Sequence, residues 1–158
     1  CTAIEWISDA LEAQGWQLDW AMFACSVTVK SHSEMAQRLL QKLAKRGVAV
    51  INSAVFNGGF LIGGKYFDYR EPTIEAEPEL FAWREAFHRV CAEFDVKATA
   101  ACVQFSFLFP QVKSVALATS RAGRVVSNVK LATDEIPRAF WERLKSEGLT
   151  TVLEDVVG

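Results

Sequence analysis

Ser120, Arg121 and Arg124 stand behind a run of strand character, Val112 to Thr119, and at the start of a helical run carrying Val125, Val126 and Val129. A hydroxyl, two guanidinium groups and the unpaired N–H groups at a helix's positive end suit the oxygens of a phosphate-bearing cofactor. The same residues would equally make an ordinary solvated helix start. Asn57-Gly58-Gly59 follows another such run, where glycine lets the backbone turn or come close to a ligand. Lys30, just past a third run, could meet an anionic or hydroxylated ligand, or simply be solvated.

The two imidazoles differ in promise. His32 opens a helix near the ligand-facing ends of the strands, whereas His88 sits in mid-helix beside Phe87 and reads as structural or solvent-facing. No Ser, Cys or Asp is spaced to form a relay with His32. Tyr66 and Tyr69, in a long aperiodic stretch, are read first as packing aromatics and second as covers for a bound ligand. Cys1, Cys25, Cys91 and Cys102 are widely dispersed and form no CxxC pair. No metal site is expected, and the cysteines read as buried thiols of a reducing, cytoplasmic setting.

Composition sets the frame for these groups. The chain has 158 residues, of which 51% are apolar, enough for a buried core. Its 17 basic and 19 acidic side chains are interspersed, so no nucleic-acid footprint appears, and a small ligand fits better. No apolar run approaches the roughly 20 residues of a membrane span, and the start lacks a signal-peptide pattern. The chain opens on Cys1, with a helical pattern already under way, which suggests a piece of something longer.

The elements that must position the candidates follow from periodicity. Ile4, Ile7 and Leu11 predict a helix over about Thr2 to Gln14, stopped by Gly15. Leu18 to Cys25 predicts a strand covered on both faces. Ser31 and Glu34 have capping-box spacing, and Met35, Leu39, Leu40 and Leu43 then form an apolar stripe up to Gly47. Val48 to Val55 is a second strand. Gly63 to Pro78 has no periodicity, and loops of this length are usually lids or insertions. Helices follow after Pro78 (Trp83, Phe87, Val90, Phe94) and over about Ala98 to Phe109. The third strand is Val112 to Thr119. Pro137 is expected at the first position of a last helix with Phe140, Trp141 and Leu144 inward and Gly148 as its stop, and the residues after Leu149 read as a tail. Strands alternating with helices predict a parallel α/β sheet in one unit, with ligands at the strands' carboxyl ends. Pattern alone fits a doubly wound sheet and a slice of a barrel equally well.

Several segments together resemble the aldo-keto reductase family. They are Gly47 to Leu61, Lys65-Tyr66-Phe67-Asp68-Tyr69, Val112 to Arg121 with Asn128, and Ile136 to Leu144. The resemblance is closest to the branch holding L-fucose, D-threo-aldose and L-galactose 1-dehydrogenases and pyridoxal 4-dehydrogenase. It implies the C-terminal portion of a (β/α)₈ TIM barrel, with about three parallel strands and surrounding helices. It also implies NADP or NAD as cofactor and hydride transfer between nicotinamide and an aldose or small aldehyde or alcohol. By position, Ala54, Val55, Phe56, Asn57 and Gly59 would line the pyrophosphate and ribose. Ser120, Arg121 and Asn128 would hold the adenosine end, and Lys30 would lie near the substrate. Three departures stand out: Ala118 replaces a Gly, Ser127 replaces a Glu or Gln, and Ser53 stands where a Tyr usually packs on nicotinamide.

The family's Asp, Tyr, Lys and His tetrad lies on earlier strands, so no catalytic residue is assigned to this chain. The segment alone is expected to be inactive and to associate with a missing N-terminal half of the barrel or with another copy, because three strands leave apolar edges open. The alternative is a non-catalytic binding or assembly module derived from such an enzyme.

Overall fold

The computed structural model describes residues 17–151 together with Trp6, Ala10, Ala13 and Gly15. The helix expected over about Thr2 to Gln14 lies outside these residues except at Trp6, Ala10 and Ala13, which are helical, and the tail beyond Thr151 also lies outside them. The elements are β1 (Trp20–Ala24), α1 (Glu34–Lys45), β2 (Ala49–Ser53), a 3₁₀ turn (Phe60–Ile62), α2 (Pro78–Glu93), α3 (Ala98–Phe107), β3 (Val112–Ala116), α4 (Arg124–Leu131) and α5 (Arg138–Ser146).

Each strand is shorter than its apolar run, for a local reason. Cys25 and Ala54 have φ of 56° and 52°, and a left-handed residue directly after a strand breaks its ladder. β3 stops at Ala116 because its partner Ser53 is the last residue of β2. Two helix starts also shift. The cap of α1 is Ser33, whose Oγ accepts from the Ala36 N–H at 3.3 Å. Ser31 is occupied elsewhere: its N–H donates to Thr28 Oγ1 at 2.9 Å and its carbonyl accepts from the Thr28 N–H at 2.7 Å. Pro137 precedes α5 as its cap, with an extended ψ of 141°, so the helix begins one residue later than expected.

The strands are parallel and lie in the order β1-β2-β3, with Trp20 opposite Ala49 and Ala24 opposite Ser53. α1 connects the first pair, while the long loop, α2 and α3 connect the second. Among the described residues, helices cover one face of this sheet and not the other. Ala21, Phe23, Val50 and Val112 are buried on that side, together with Leu40 and Leu43 of α1, Phe87 of α2, Phe105 of α3 and Phe140 of α5. Complete burial of each such side chain contributes about 1.5–3 kcal/mol. The opposite face carries Trp20 and Met22, 56% and 47% exposed, so β1 is not covered on both sides as its apolar run suggests. The reason is geometric, since closing a barrel around that face takes about eight strands. Helices on one face alone also distinguish the two architectures left open by pattern: a doubly wound sheet carries them on both, a barrel only outside.

Two apolar groups depart from the expected packing. Met35 is 48% exposed, and α4 has no buried residue, its Val125, Val126 and Val129 being 52%, 73% and 65% exposed. The Gln104 amide nevertheless donates to the Leu131 carbonyl at 2.9 Å, tying the end of α4 to α3.

Candidate functional site at the strand ends

At the carboxyl end of the sheet the chain folds around two adjoining clefts. The first, about 740 Å³, has Ala54, Phe56, Gly58 and Gly59 on one wall, residues 116–118 on the other, and Val55 as its buried floor. The second, about 690 Å³, lies beyond β1 and is lined by Cys25, Lys30, His32, Trp83 and the segment 148–151. Ala24 borders one and Ser53 the other, and these residues are directly paired. The clefts therefore abut across a single strand spacing of about 4.8 Å. Tyr69 lines both.

The loop after β2 is compact because four of its residues turn left-handed: Ala54, Asn57, Gly58 and Gly59 have φ of 52°, 46°, 73° and 97°. Ala54, Val55, Phe56 and Gly59 thus stand at the first cleft. Asn57 does not: it is completely buried, and its amide donates to Asp68 Oδ1 at 2.8 Å. Asp68 also accepts from the Cys25 thiol, whose pKa is pushed up to about 12 by burial first and by that carboxylate second. One aspartate therefore joins the ends of β1 and β2 to the long loop, and Cys25 remains a thiol with no nucleophilic activation.

Lys30 lies in the second cleft, half-buried, its Nζ 5.2 Å from the centre of the Trp83 ring. Burial holds its pKa below the usual lysine value, and the charge of Glu79 opposes that shift. His32 is engaged on both nitrogens. Nδ1 is 3.0 Å from the Thr28 carbonyl, which can only accept, and Nε2 receives the Thr151 N–H at 3.1 Å. These partners assign the neutral tautomer with the proton on Nδ1. Burial, chiefly, and the charge of Lys30 lower the His32 pKa against the opposing Thr28 hydrogen bond.

A pH dependence follows. A histidine whose pKa falls on folding is charged more readily in the unfolded chain, so its contribution is complete above about 6.5 and is lost as pH falls toward the lower folded value. Thermal melting should show stability declining with acidification below pH of about 6.5, and His32→Gln should flatten that limb. An equally steep limb in the variant would remove His32 as its cause.

Ser120 and Arg121 follow Ala118, on the wall of the first cleft, by two and three residues. Chain length alone keeps them within roughly 8 and 11 Å of it. They belong to its rim rather than its lining, both being exposed, and Asn128 is half-buried on α4. The turn is ordered by Thr119 Oγ1, which accepts from the Arg121 N–H at 3.2 Å. Two donors of the helix start are already used, because the N–H groups of Arg124 and Val125 bond to the carbonyls of Arg121 and Ala122 at 2.9 and 3.1 Å. An anion bound here would meet side chains more than the helix end. The guanidinium groups of Arg121 and Arg124 enter no ion pair among the described residues, whereas Arg38, Arg70, Arg89, Arg138 and Arg143 are all paired. A largely apolar cleft followed in the chain by two unpaired arginines is compatible with an extended, partly charged ligand.

Sequence reasoning passed over Asp68, Asn52 and Thr28. Asn52 had a signal, being a polar residue inside an apolar strand. It is fully buried, and its amide donates to the Val27 carbonyl at 2.7 Å and to Ser106 Oγ at 2.8 Å, fixing the loop that carries Lys30. Asp68 and Thr28 had none, since their partners are remote or follow an irregular turn.

Comparison with known proteins agrees with this architecture. The profile described as "Aldo/keto reductase family" matches residues 2–147. Pyridoxal 4-dehydrogenase of Microbacterium luteolum is 32% identical over 155 residues, which is 92% of this chain and 42% of that protein. D-threo-aldose 1-dehydrogenase of a Pseudomonas species is 28% identical over 141 residues, 87% of this chain and 43% of that protein. The holo form of an aldo-keto reductase from Bacillus halodurans superposes with a TM-score of 0.62 at 18% identity, covering 96% of this chain and 49% of that one. The chain therefore spans less than half the length of the curated relatives it matches. One-sided helix cover, parallel order and a profile match over nearly every residue lead to one conclusion: the chain belongs to the aldo/keto reductase family and folds as part of its barrel.

Proposed function

We propose that the complete protein is an NAD(P)-dependent oxidoreductase acting on an aldose or small aldehyde, and that this chain provides its cofactor-binding side. When bound, the nicotinamide cofactor supplies the hydride acceptor or donor. The part played by these residues is to bind, orient and exclude water. Ala54, Val55, Phe56 and Gly59 enclose the middle of the dinucleotide with backbone and apolar surface, and Asn57 keeps that loop in shape from below. Ser120, Arg121 and Asn128, with Arg124, hold the adenosine end. Lys30, raised over Trp83 in the adjoining cleft, orients the substrate's oxygens. Neither Cys25, held as a thiol, nor His32, held neutral by its partners, is set to move the reaction's proton. Those groups are assigned to the remaining strands of the barrel, which would pair with the edge strands β1 and β3 and enclose the uncovered face.

What supports this reading is an apolar cleft built on strand ends, one wall of which, residues 116–118, leads into a turn with two arginines, Arg121 and Arg124, that enter no ion pair among the described residues. Arginines behind that wall favour a 2′-phosphate. Fluorescence titration of the full-length protein should give saturable binding, tighter for NADPH than for NADH. In Arg121→Ala/Arg124→Ala, NADPH binding should weaken about tenfold or more while NADH changes little. Absence of saturable binding by both cofactors would remove the oxidoreductase reading.

A further inference from the structure

Past Leu149 the hydrogen bonding of the chain depends on a single atom. Gly148 turns the chain back after α5 with φ of 68°, the Leu149 side chain enters the core, and the Trp83 indole N–H donates to the Leu149 carbonyl at 3.2 Å. Among the described residues, the hydrogen bonds of Thr150 and Thr151 then all go to His32 Nε2: Thr151 Oγ1 at 2.9 Å, the Thr151 N–H at 3.1 Å and Thr150 Oγ1 at 3.4 Å. Residues 148–151 line one part of the second cleft, and Ser31, His32 and Ser33 line it beside them.

Nε2 has one lone pair while the ring is neutral and none once the ring is charged. The inner nitrogen does not change. Nδ1 donates to the Thr28 carbonyl at 3.0 Å in either state, and Phe105 lies against the ring with 5.1 Å between centres. Protonation therefore leaves the ring in place and reverses the polarity of its outer end. An Nε2–H then meets the Thr151 N–H, donor against donor; a hydroxyl can turn to accept, but a peptide N–H cannot. The described residues around the ring bring no carboxylate to favour the added charge. Lys30, on the same loop, opposes it, and Glu79 of α2 acts on Lys30. Glu34, at the start of α1, is paired with Arg38 at 2.7 Å. Across the cleft, Asp68 is bonded to Asn57 and to the Cys25 thiol. From α3 comes Phe105, and from the segment after α5 the two threonines, all uncharged.

We propose that His32 is a pH-operated latch on the second cleft: its neutral ring seats Thr150 and Thr151 at the cleft's edge, and its protonation releases them. The Thr28 carbonyl holds the proton on Nδ1, which keeps Nε2 free to accept and the latch closed. Leu149, anchored in the core and to Trp83, is the point at which the released end parts from the fold. The sign follows from linkage: closure is complete above a pH of about 6.5 and is lost as pH falls toward the lower value of the folded ring. The latch requires no cofactor and stands apart from the NAD(P) reading.

The test uses the full-length protein, with nitrogen NMR of the His32 ring and hydrogen exchange at the Thr151 amide, expressed as protection over the unstructured-chain rate at each pH. Above the transition Nδ1 should carry the proton and Nε2 should not. Thr151 protection should fall about tenfold, the scale of one hydrogen bond, with the same midpoint as the His32 titration. The Val50 amide, bonded to the Gln111 carbonyl in the sheet, should stay protected. His32→Gln should make Thr151 protection independent of pH, since glutamine does not titrate. Thr151→Pro removes the N–H while leaving His32 and the core as they are. In it His32 should titrate at a higher pH than in the parent, because the neutral form has lost a bond. A ring with only a packing role would keep its midpoint. Thr151 protection that stays constant through the titration, falls together with that of Val50, or falls equally in His32→Gln overturns the proposal. So does an unchanged His32 midpoint in Thr151→Pro.

Discussion

Asn52→Leu should destabilise the protein by about 3 kcal/mol, read as a lower denaturant midpoint at unchanged slope. Leucine is close to asparagine in size and would suit a strand, so volume is not the issue. Two groups lose their donor, the Val27 carbonyl and Ser106 Oγ, in residues that are wholly buried. A buried polar group stripped of its partner costs about 1–3 kcal/mol. Asn52 Oδ1 is itself buried without a partner, so its removal offsets part of that cost. The substitution also frees the segment bearing Lys30, and substrate KM should rise together with the loss of stability. Ser106→Ala supplies the control: combined with Asn52→Leu it should cost less than the sum of the two, since both remove the same hydrogen bond. A change under about 0.5 kcal/mol, within the scatter of ordinary surface substitutions, would mean that the strand does not depend on this contact.

On the NAD(P) reading proposed above, Gly58→Ala should weaken cofactor binding strongly for a different reason, the shape of the loop. A Cβ at Gly58 would lie 2.9 Å from the Tyr66 carbonyl oxygen and 3.2 Å from its carbon, both backbone atoms that cannot swing aside. The residue also has φ of 73°, which costs an L side chain about 1–2 kcal/mol before any contact is considered. Relief requires the β2 loop and the long loop to separate, which displaces the wall formed by Ala54, Phe56 and Gly59. Dinucleotide affinity should fall by more than about tenfold. Gly63 offers a direct comparison, for its φ is 92° but a Cβ there meets nothing within 4 Å. Gly63→Ala should therefore show only the conformational cost, with binding nearly intact. If the two variants bound alike, close packing of the loops would not be what shapes the cleft.

Much of the scaffold was legible in the order of residues. Helical spacing identified Leu39, Leu40 and Leu43 as the buried side of α1, and Trp83, Phe87 and Val90 as that of α2, because a helix brings every third and fourth residue to one face whatever surrounds it. Gly47 and Gly148 were readable as helix stops and both have positive φ, 72° and 68°. The cover of β1 was not legible. Its apolar run is that of a strand enclosed on two sides, and its exposed Trp20 and Met22 depend on neighbours that a single segment does not specify. Capping-box spacing points to Ser31, which has Glu34 three residues on, whereas the observed cap, Ser33, has Ala36 there and no such signal. The bonds that tie Ser31 to Thr28 exist only in the folded turn.

The candidate site divides along the same line. Its location at the carboxyl ends of three strands, the backbone loop of Ala54 to Gly59 and the arginines behind β3 all follow from local patterning, which fixes which element comes next and where it turns. The joining of Asp68 to Asn57 and Cys25, the capture of His32 by Thr28 and Thr151, and the placing of Tyr69 between two clefts came from packing. They join residues separated by as many as 119 positions, and such pairs leave no periodicity to read. Local propensity is a property of a short segment, whereas a shared hydrogen bond or a shared cleft wall exists only once the sheet has brought its ends together.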